Sequence, residues 1–254
     1  MTQGPKTALV TGGARRIGRA IVEDLAANGF SVAIHARRSG EGARDLQRVV
    51  EARGGRAAVV EADLEDMNAV GGLVAEAAER LGPIGLLVNN ASAFEPDSAT
   101  DFDWETWDRH FAVHLKAPAM LARQLAAGLG DDAEGLVVNI IDERVLRLNP
   151  RYFSYTLSKS ALWVATQTMA QALAPRVRVN AIGPGPTLPN VRQKPEDFQA
   201  QVDGLLLRRE PDLFEFGATI RYLWEARSVT GQLIAIDGGQ HLAWETPDVT
   251  GMNE

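Results

Sequence analysis

Thr7-Ala8-Leu9-Val10-Thr11-Gly12-Gly13-Ala14-Arg15-Arg16-Ile17-Gly18 decides the architecture. Its first four residues read as a buried strand and the glycine-rich run as a tight turn. Ile17, Ile21 and Leu25, four apart, then form the inward face of a helix. Gly29 ends that helix, because glycine tolerates the left-handed cap. The alternation continues along the chain. Strands are predicted over 31–34, 57–61, 86–88, 135–141, 177–182 and 233–236, with helices over 41–53, 66–81, 104–129, 152–173 and 214–227. Pro118 should bend the long helix over 104–129 or start a new one. Gly183-Pro184-Gly185-Pro186-Thr187-Leu188-Pro189 reads as a loop. It leads into a polar stretch, up to about 209, that shows no pattern and is expected to cover the substrate.

Buried strands alternating with helices imply a doubly wound parallel sheet of about seven strands, covered on both faces. With no repeat or linker in sight, residues 1–254 are expected to form one domain. In such a sheet ligands sit beyond the carboxyl ends of the strands, so the residues just after each strand are the ones that matter.

Composition narrows the function. The chain has 254 residues and no cysteine, which excludes a disulfide scaffold, a thiolate metal site and a cysteine nucleophile. Acidic residues outnumber basic ones, 33 to 26, for a net charge of −7, against a nucleic-acid partner. No apolar run is long enough to span a bilayer, and the first residues lack signal-peptide character. A soluble cytoplasmic protein is expected. No residue cluster has metal-ligand spacing.

Gly12, Gly13 and Gly18 would let the backbone approach a pyrophosphate at a helix N-terminus, although their spacing departs from G-x-G-x-x-G; a tight turn without a ligand is the alternative. After the second strand, an acidic residue would mark NAD. Here stand His35-Ala36-Arg37-Arg38-Ser39, whose two guanidinium groups and hydroxyl suit a 2′-phosphate, with Arg16 a third cation. The bland alternative is a solvated basic loop. Tyr155 and Lys159 share a helix face; an ammonium so placed lowers a phenol pKa, and the phenol can give a proton to a substrate receiving hydride.

In combination, Thr11-Gly12…Gly18, Asn89-Asn90-Ala91, Tyr155-x-x-x-Lys159 and Asn180-Ala181-Ile182-Gly183-Pro184-Gly185 resemble the short-chain dehydrogenase/reductase family over nearly the whole chain. The resemblance implies a Rossmann-type fold, a nicotinamide cofactor (NADPH/NADP here) and a homotetramer. It implies cofactor contacts from Gly12, Arg15, Arg16, Ile17, Gly18, His35, Arg37, Arg38 and Ser39, from Asp63 and Leu64 near the adenine, and from Asn90, Ala91, Ser92, Tyr155, Lys159, Pro184 and Gly185. Tyr155 would be the proton donor and Lys159 its partner.

Two positions depart from the family pattern. Asp142 stands where the family has its serine, thirteen residues before the tyrosine, and His114 where it has an asparagine. A carboxylate opposes the oxyanion of ketone reduction but suits the positive character that develops when a C=N bond is reduced. It could also only orient Tyr155 or cap a turn. The pteridine reductase branch resembles this chain at Thr11 to Gly18, at His35, Arg38 and Ser39, at Asn89 to Phe94 and at Asp142. That likeness implies a pterin substrate held by Arg16, Ser92, Phe94, Asp142 and Tyr155, with Phe94 stacked on the flat ring. A carbonyl reductase and a non-catalytic NADPH-binding regulator are the alternatives. His110, Trp104 and Trp107 are expected to pack or decorate the long helix, and His241 and Trp244 to reach a neighbouring subunit or lie on the surface.

Overall fold

The structure is a computed structural model describing residues 2–37, 40–190, 192–246 and 249–251. The strands Thr2–Gln3 (β1), Thr7–Val10 (β2), Ser31–Ala36 (β3), Arg56–Glu61 (β4), Leu86–Asn89 (β5), Ala133–Ile140 (β6), Val177–Pro184 (β7) and Leu233–Ile236 (β8) form one eight-stranded sheet in the order β4-β3-β2-β5-β6-β7-β8. Every pairing is parallel, and β1 adds to β6. The doubly wound sheet is therefore present, with one strand more than expected. β1 has only two residues, both exposed, too few to show a period.

Side chains alternate across the sheet, as the pleat requires. Val10, Ile34, Val88 and Val138 pack under Arg16–Ala27 (α1), Glu41–Ala52 (α2) and Leu213–Glu225 (α9). Leu9, Ala33, Leu87 and Val137 pack on the other face against Leu73–Leu81 (α4), Ala117–Gly128 (α6) and Phe153–Leu173 (α7). β2 lies between β3 and β5, so the winding reverses there and a cleft opens beyond its carboxyl end.

Three helical expectations need correction. The stretch 66–81 is two helices, Met67–Val70 (α3) and α4, parted at Gly71-Gly72, where two glycines make continuation unfavourable. The stretch 104–129 is Trp104–Phe111 (α5), a π turn over Ala112–Lys116, and α6. Pro118 lies in the first turn of α6 and has no N–H for the carbonyl four residues back, that of His114, so the chain widens there. The polar stretch before 209 contains a helix, Pro195–Asp203 (α8). Only Val202 of α8 is buried, so no apolar stripe announces it. Among the described residues no helix is long and apolar enough to cross a membrane, and no cluster could hold a metal ion.

Candidate active site

Every predicted site residue that the structure describes lines one cleft of about 1140 Å³, from Gly12, Arg15, Arg16, Ile17 and Gly18 through His35, Arg37, Asp63, Leu64, Asn90, Ala91, Ser92 and Phe94 to Asp142, Tyr155, Lys159, Pro184 and Gly185. Arg38 and Ser39 lie outside the described residues. One wall is backbone. Gly12 has a φ of 61°, and a Cβ on Gly18 would stand 2.3 Å from the Gly12 carbonyl oxygen and 2.5 Å from Asn90 Nδ2. Side chains hold this turn from behind. Thr11 Oγ1 accepts the Asn90 and Ala91 amides at 2.9 and 3.0 Å, and the Asn90 carboxamide donates to the Thr11 and Gly12 carbonyls at 2.9 and 3.2 Å. His35 is buried. Its Nδ1 accepts the Gly12 amide at 3.1 Å, so its Nε2–H donates to the Ala62 carbonyl at 3.0 Å, and burial lowers its pKa. The first turn of α1 has neither a side-chain cap nor an acidic residue, leaving its amide donors for an anion.

The cations are less free than the sequence suggests. Arg37 reaches Asp63 at 2.9 Å and Glu65 at 2.7 Å. Arg16, itself at φ 52°, donates to the Leu188 and Pro189 carbonyls, each at 3.0 Å. It thus ties the glycine-rich turn to the segment ahead of α8.

Asp142 ends the β6 connection and faces α7. Its Oδ2 accepts the Tyr155 hydroxyl at 2.8 Å and Arg144 Nη1 at 3.0 Å, and its Oδ1 accepts the Arg144 amide at 2.9 Å. Burial first, and then the Asp142 charge, hold the Tyr155 phenol well above its ordinary pKa, against smaller opposing pulls from Arg144 and Ser92. This corrects the expectation that Lys159 lowers it. The Lys159 ammonium is buried, donates to the Ile140 carbonyl at 2.9 Å, and lies 5.8 Å from the centre of the Tyr155 ring. Burial brings its own pKa down to about 8 although Asp142 pulls upward. Tyr155 so held keeps its proton until a base arrives.

The opposite wall is made of side chains. Phe94 stacks on Tyr152 at 4.3 Å and 12°, and meets Tyr155 edge-on at 4.8 Å. Arg144 lies 5.5 Å from both the Phe94 and Tyr152 ring centres, and Arg192 Nη2 donates to the Phe94 carbonyl at 2.6 Å. Sequence reasoning missed Tyr152, Arg144 and Arg192 as parts of the site. No spacing marks them; Arg144 could have been suspected only as the cation two residues past Asp142. His110 packs, one of its two expected placements: it is fully buried and hydrogen-bonded at both ring nitrogens. Trp104 and Trp107 do belong to an aromatic cluster, with Phe102 and Phe153. His241 pairs with Asp237 at 2.6 Å, and Trp244 is exposed.

A parallel sheet whose winding reverses at β2, a glycine turn under an uncapped helix, and a Tyr155–Lys159 pair define a nicotinamide-dependent oxidoreductase site. The short chain dehydrogenase profile matches residues 6–200, and the chain belongs to that family. Among solved structures, it is similar to FolM alternative dihydrofolate reductase 1 from Brucella canis, complexed with NADP. That match is 62% identical with a TM-score of 0.94, over 96% of this chain and 97% of the other. The Brucella suis protein of the same description, also with NADP, is 63% identical with a TM-score of 0.93, over 96% and 98%. L-xylulose reductase from Bos taurus is 32% identical over 92% of this chain and 96% of its own.

Proposed function

We propose that the chain is an NADPH-dependent pteridine reductase that converts a dihydropterin to its tetrahydro form. The observation that carries this reading is the Asp142 carboxyl on the Tyr155 hydroxyl at 2.8 Å inside the cleft. Reduction of a ketone would place an oxyanion beside that carboxyl, whereas protonating the nitrogen of a C=N bond as it receives hydride gives an iminium-like positive character, which the carboxyl stabilises. The Brucella relatives, described as alternative dihydrofolate reductases and holding NADP, support the same choice.

The cleft fits the cofactor on this chain's own geometry. Gly12 and Gly18 let the turn pack tightly on Asn90 and Ala91 with no side chain between, and α1 offers uncapped amides for a pyrophosphate. Arg15, Arg16 and Ile17 would hold the phosphates, Arg37, Arg38 and Ser39 the 2′-phosphate, Asp63 and Leu64 the adenine, and Pro184 and Gly185 the nicotinamide. When bound, the dihydronicotinamide supplies a hydride to a ring carbon of the substrate. Tyr155 gives its proton to the adjacent nitrogen, Asp142 steadies the positive character that forms there, and Lys159 binds the ribose. Phe94, backed by Tyr152, offers a flat apolar face to the heterocycle, and Ser92 a hydroxyl beside it. We place the protein in the cytoplasm as a homotetramer; Val164 on α7 and Phe214 and Tyr222 on α9 are exposed apolar residues that assembly would cover.

The test is NADPH oxidation by the purified protein with a panel of dihydropterins, dihydrofolate and simple ketones. Turnover of the pterins that collapses in Asp142→Ser is expected. Brisk ketone reduction that survives Asp142→Ser would make it a carbonyl reductase, and NADPH binding without any turnover would make it a regulator. For the cofactor, Arg38→Ala should weaken NADPH far more than NADH. Equal losses would remove Arg38 from the 2′-phosphate site.

A further inference from the structure

Two buried histidines take no part in this chemistry. His110 lies near the end of α5 and His114 in the π turn, their rings stacked 5.6 Å apart at 13°. Hydrogen-bond polarity settles their tautomers. The Ala93 amide donates to His114 Nε2 at 3.1 Å, so that nitrogen carries a lone pair, and the Ser92 hydroxyl lies 3.0 Å from it. The proton is therefore on Nδ1, which donates to Ser158 Oγ at 2.8 Å, while Ser158 donates onward to the Tyr155 carbonyl at 2.7 Å. His110 repeats the arrangement one turn earlier. The Glu95 amide donates to its Nε2 at 3.3 Å, its Nδ1–H donates to Ser154 Oγ at 2.8 Å, and the Ser154 hydroxyl donates to the Asp97 carboxylate.

Burial favours the neutral form of both rings. Around His114, Lys159 and His110 press the same way. Around His110, Asp97 and Glu95 oppose burial while Arg109 and Lys159 add to it. The two accepted amides belong to residues 93 and 95, which flank Phe94. The two serines belong to residues 154 and 158, which precede Tyr155 and Lys159 on α7. Neither ring has a nitrogen to spare for passing a proton along.

We propose that His110 and His114 are a two-point acceptor clamp that fixes the peptides on either side of Phe94 to α7 and so sets the aromatic platform against the Tyr155 hydroxyl. They are positioning residues. The kinetic consequence rests on the pteridine reductase reading; the clamp itself does not.

The first test needs no substrate. In ¹⁵N-histidine NMR of the intact protein, both residues should show a protonated Nδ1 and a bare Nε2 at neutral pH, with any titration displaced below the ordinary histidine pKa. An Nε2–H tautomer, or titration near that ordinary pKa, overturns the clamp. The second test is kinetic. His114→Ala and His110→Ala should each raise KM for a dihydropterin about tenfold by orphaning a partly buried amide, with kcat and NADPH affinity within about threefold. His114→Gln, which keeps an acceptor, should recover part of the loss. In a Phe94→Ala background the histidine substitutions should add nothing further, because the platform they position is gone. Effects that multiply independently in that background would reduce the histidines to general packing. If the alanine variants fail to fold, Ser154→Ala and Ser158→Ala, which untie the rings from α7 with little change of volume, should move KM in the same direction by about threefold; no movement overturns the proposal. If Phe94→Ala leaves KM unchanged, or no pterin is turned over, the substrate reading fails while the NMR result still judges the clamp.

Discussion

Where β2, α1 and the 89–91 turn meet, the surface offered to a ligand is main chain, and side chains work from behind it. Thr11, His35 and Asn90 spend their hydrogen bonds on the turn. Across the cleft the surface is side chain. Phe94, Tyr152, Tyr155, Asp142 and Arg144 meet through ring contacts and ion pairs, and buried histidines hold the main chain behind them. The first wall can take any dinucleotide of the right shape, because glycines and amides recognise phosphate. The second is built to discriminate, since replacing one side chain there changes what the surface is.

The strongest way to separate the walls is Tyr155→Phe. It removes one hydroxyl from the side-chain wall and keeps the ring edge against Phe94. We expect kcat with a dihydropterin to fall by about 10² to 10⁴, with NADPH affinity by fluorescence titration unchanged. Full activity in that variant would mean that Asp142 or a water donates the proton. Gly18→Ala attacks the other wall. Its Cβ must push into the Gly12 carbonyl and the Asn90 carboxamide, so urea unfolding should show a loss of about 1–3 kcal/mol. NADPH affinity should fall by more than kcat at saturating cofactor. A stable variant with normal affinity would show that the turn has slack that its packing denies.

Glu143 sharpens the comparison from the protein's interior. It is 4% exposed, its Oε2 has no hydrogen-bond partner among the described residues, and burial together with the charges of Asp142 and Asp237 pushes its pKa from 4.5 up to about 7. Between those two values the folded protein keeps a proton that the unfolded chain has released. Stability therefore falls as pH rises through that window, and the penalty is complete above it. Glu143→Gln keeps the neutral shape. It should gain on the order of 1–3 kcal/mol by urea unfolding at about pH 8 and almost nothing at about pH 4. A gain of equal size at both would trace to packing rather than charge. His110 and His114 have the opposite sign. Their folded pKa values are lowered, so their contribution is complete above the ordinary histidine pKa and is lost as pH falls below it.

How much of this was legible in the chain follows from the same division. The backbone wall requires glycine at fixed steps from a strand, because only a residue without Cβ fits beside Gly12 and Asn90, and such steps are visible as a local pattern. Tyr155 and Lys159 are visible for the same reason, being one turn apart. Asp142 was visible because of where it stands, although its alignment with Arg144 was not. The rest is assembled across long separations. His110 meets residue 95 through a loop and residue 154 through another helix. Tyr152, itself at φ 64° just before α7, stacks on Phe94 from a position 58 residues away in the chain. The break at Gly71-Gly72 could have been read from the two glycines, which a single apolar stripe over 66–81 concealed. α8 carries one buried residue and offers no such signal.

The smallest expected effect lies where α8's leading segment touches the side-chain wall. Arg192 donates to the Phe94 carbonyl at 2.6 Å and lies 3.4 Å from Glu95 Oε2. Its side chain is 44% exposed, so the ion pair is screened and contributes little, whereas the hydrogen bond to the carbonyl directs the segment onto Phe94. Losing one such bond from an exposed residue, with the flanking amides still held by His110 and His114, should raise KM for a dihydropterin about two- to fivefold in Arg192→Ala and leave kcat alone. Glu95→Gln distinguishes the two contacts, because it weakens the ion pair without touching the Phe94 carbonyl. It should leave KM where it was. If it reproduces the Arg192→Ala loss, and if about 0.5 M salt reproduces it too, charge rather than the carbonyl bond keeps the segment over the cleft, and this edge of the side-chain wall is held less tightly than its geometry implies.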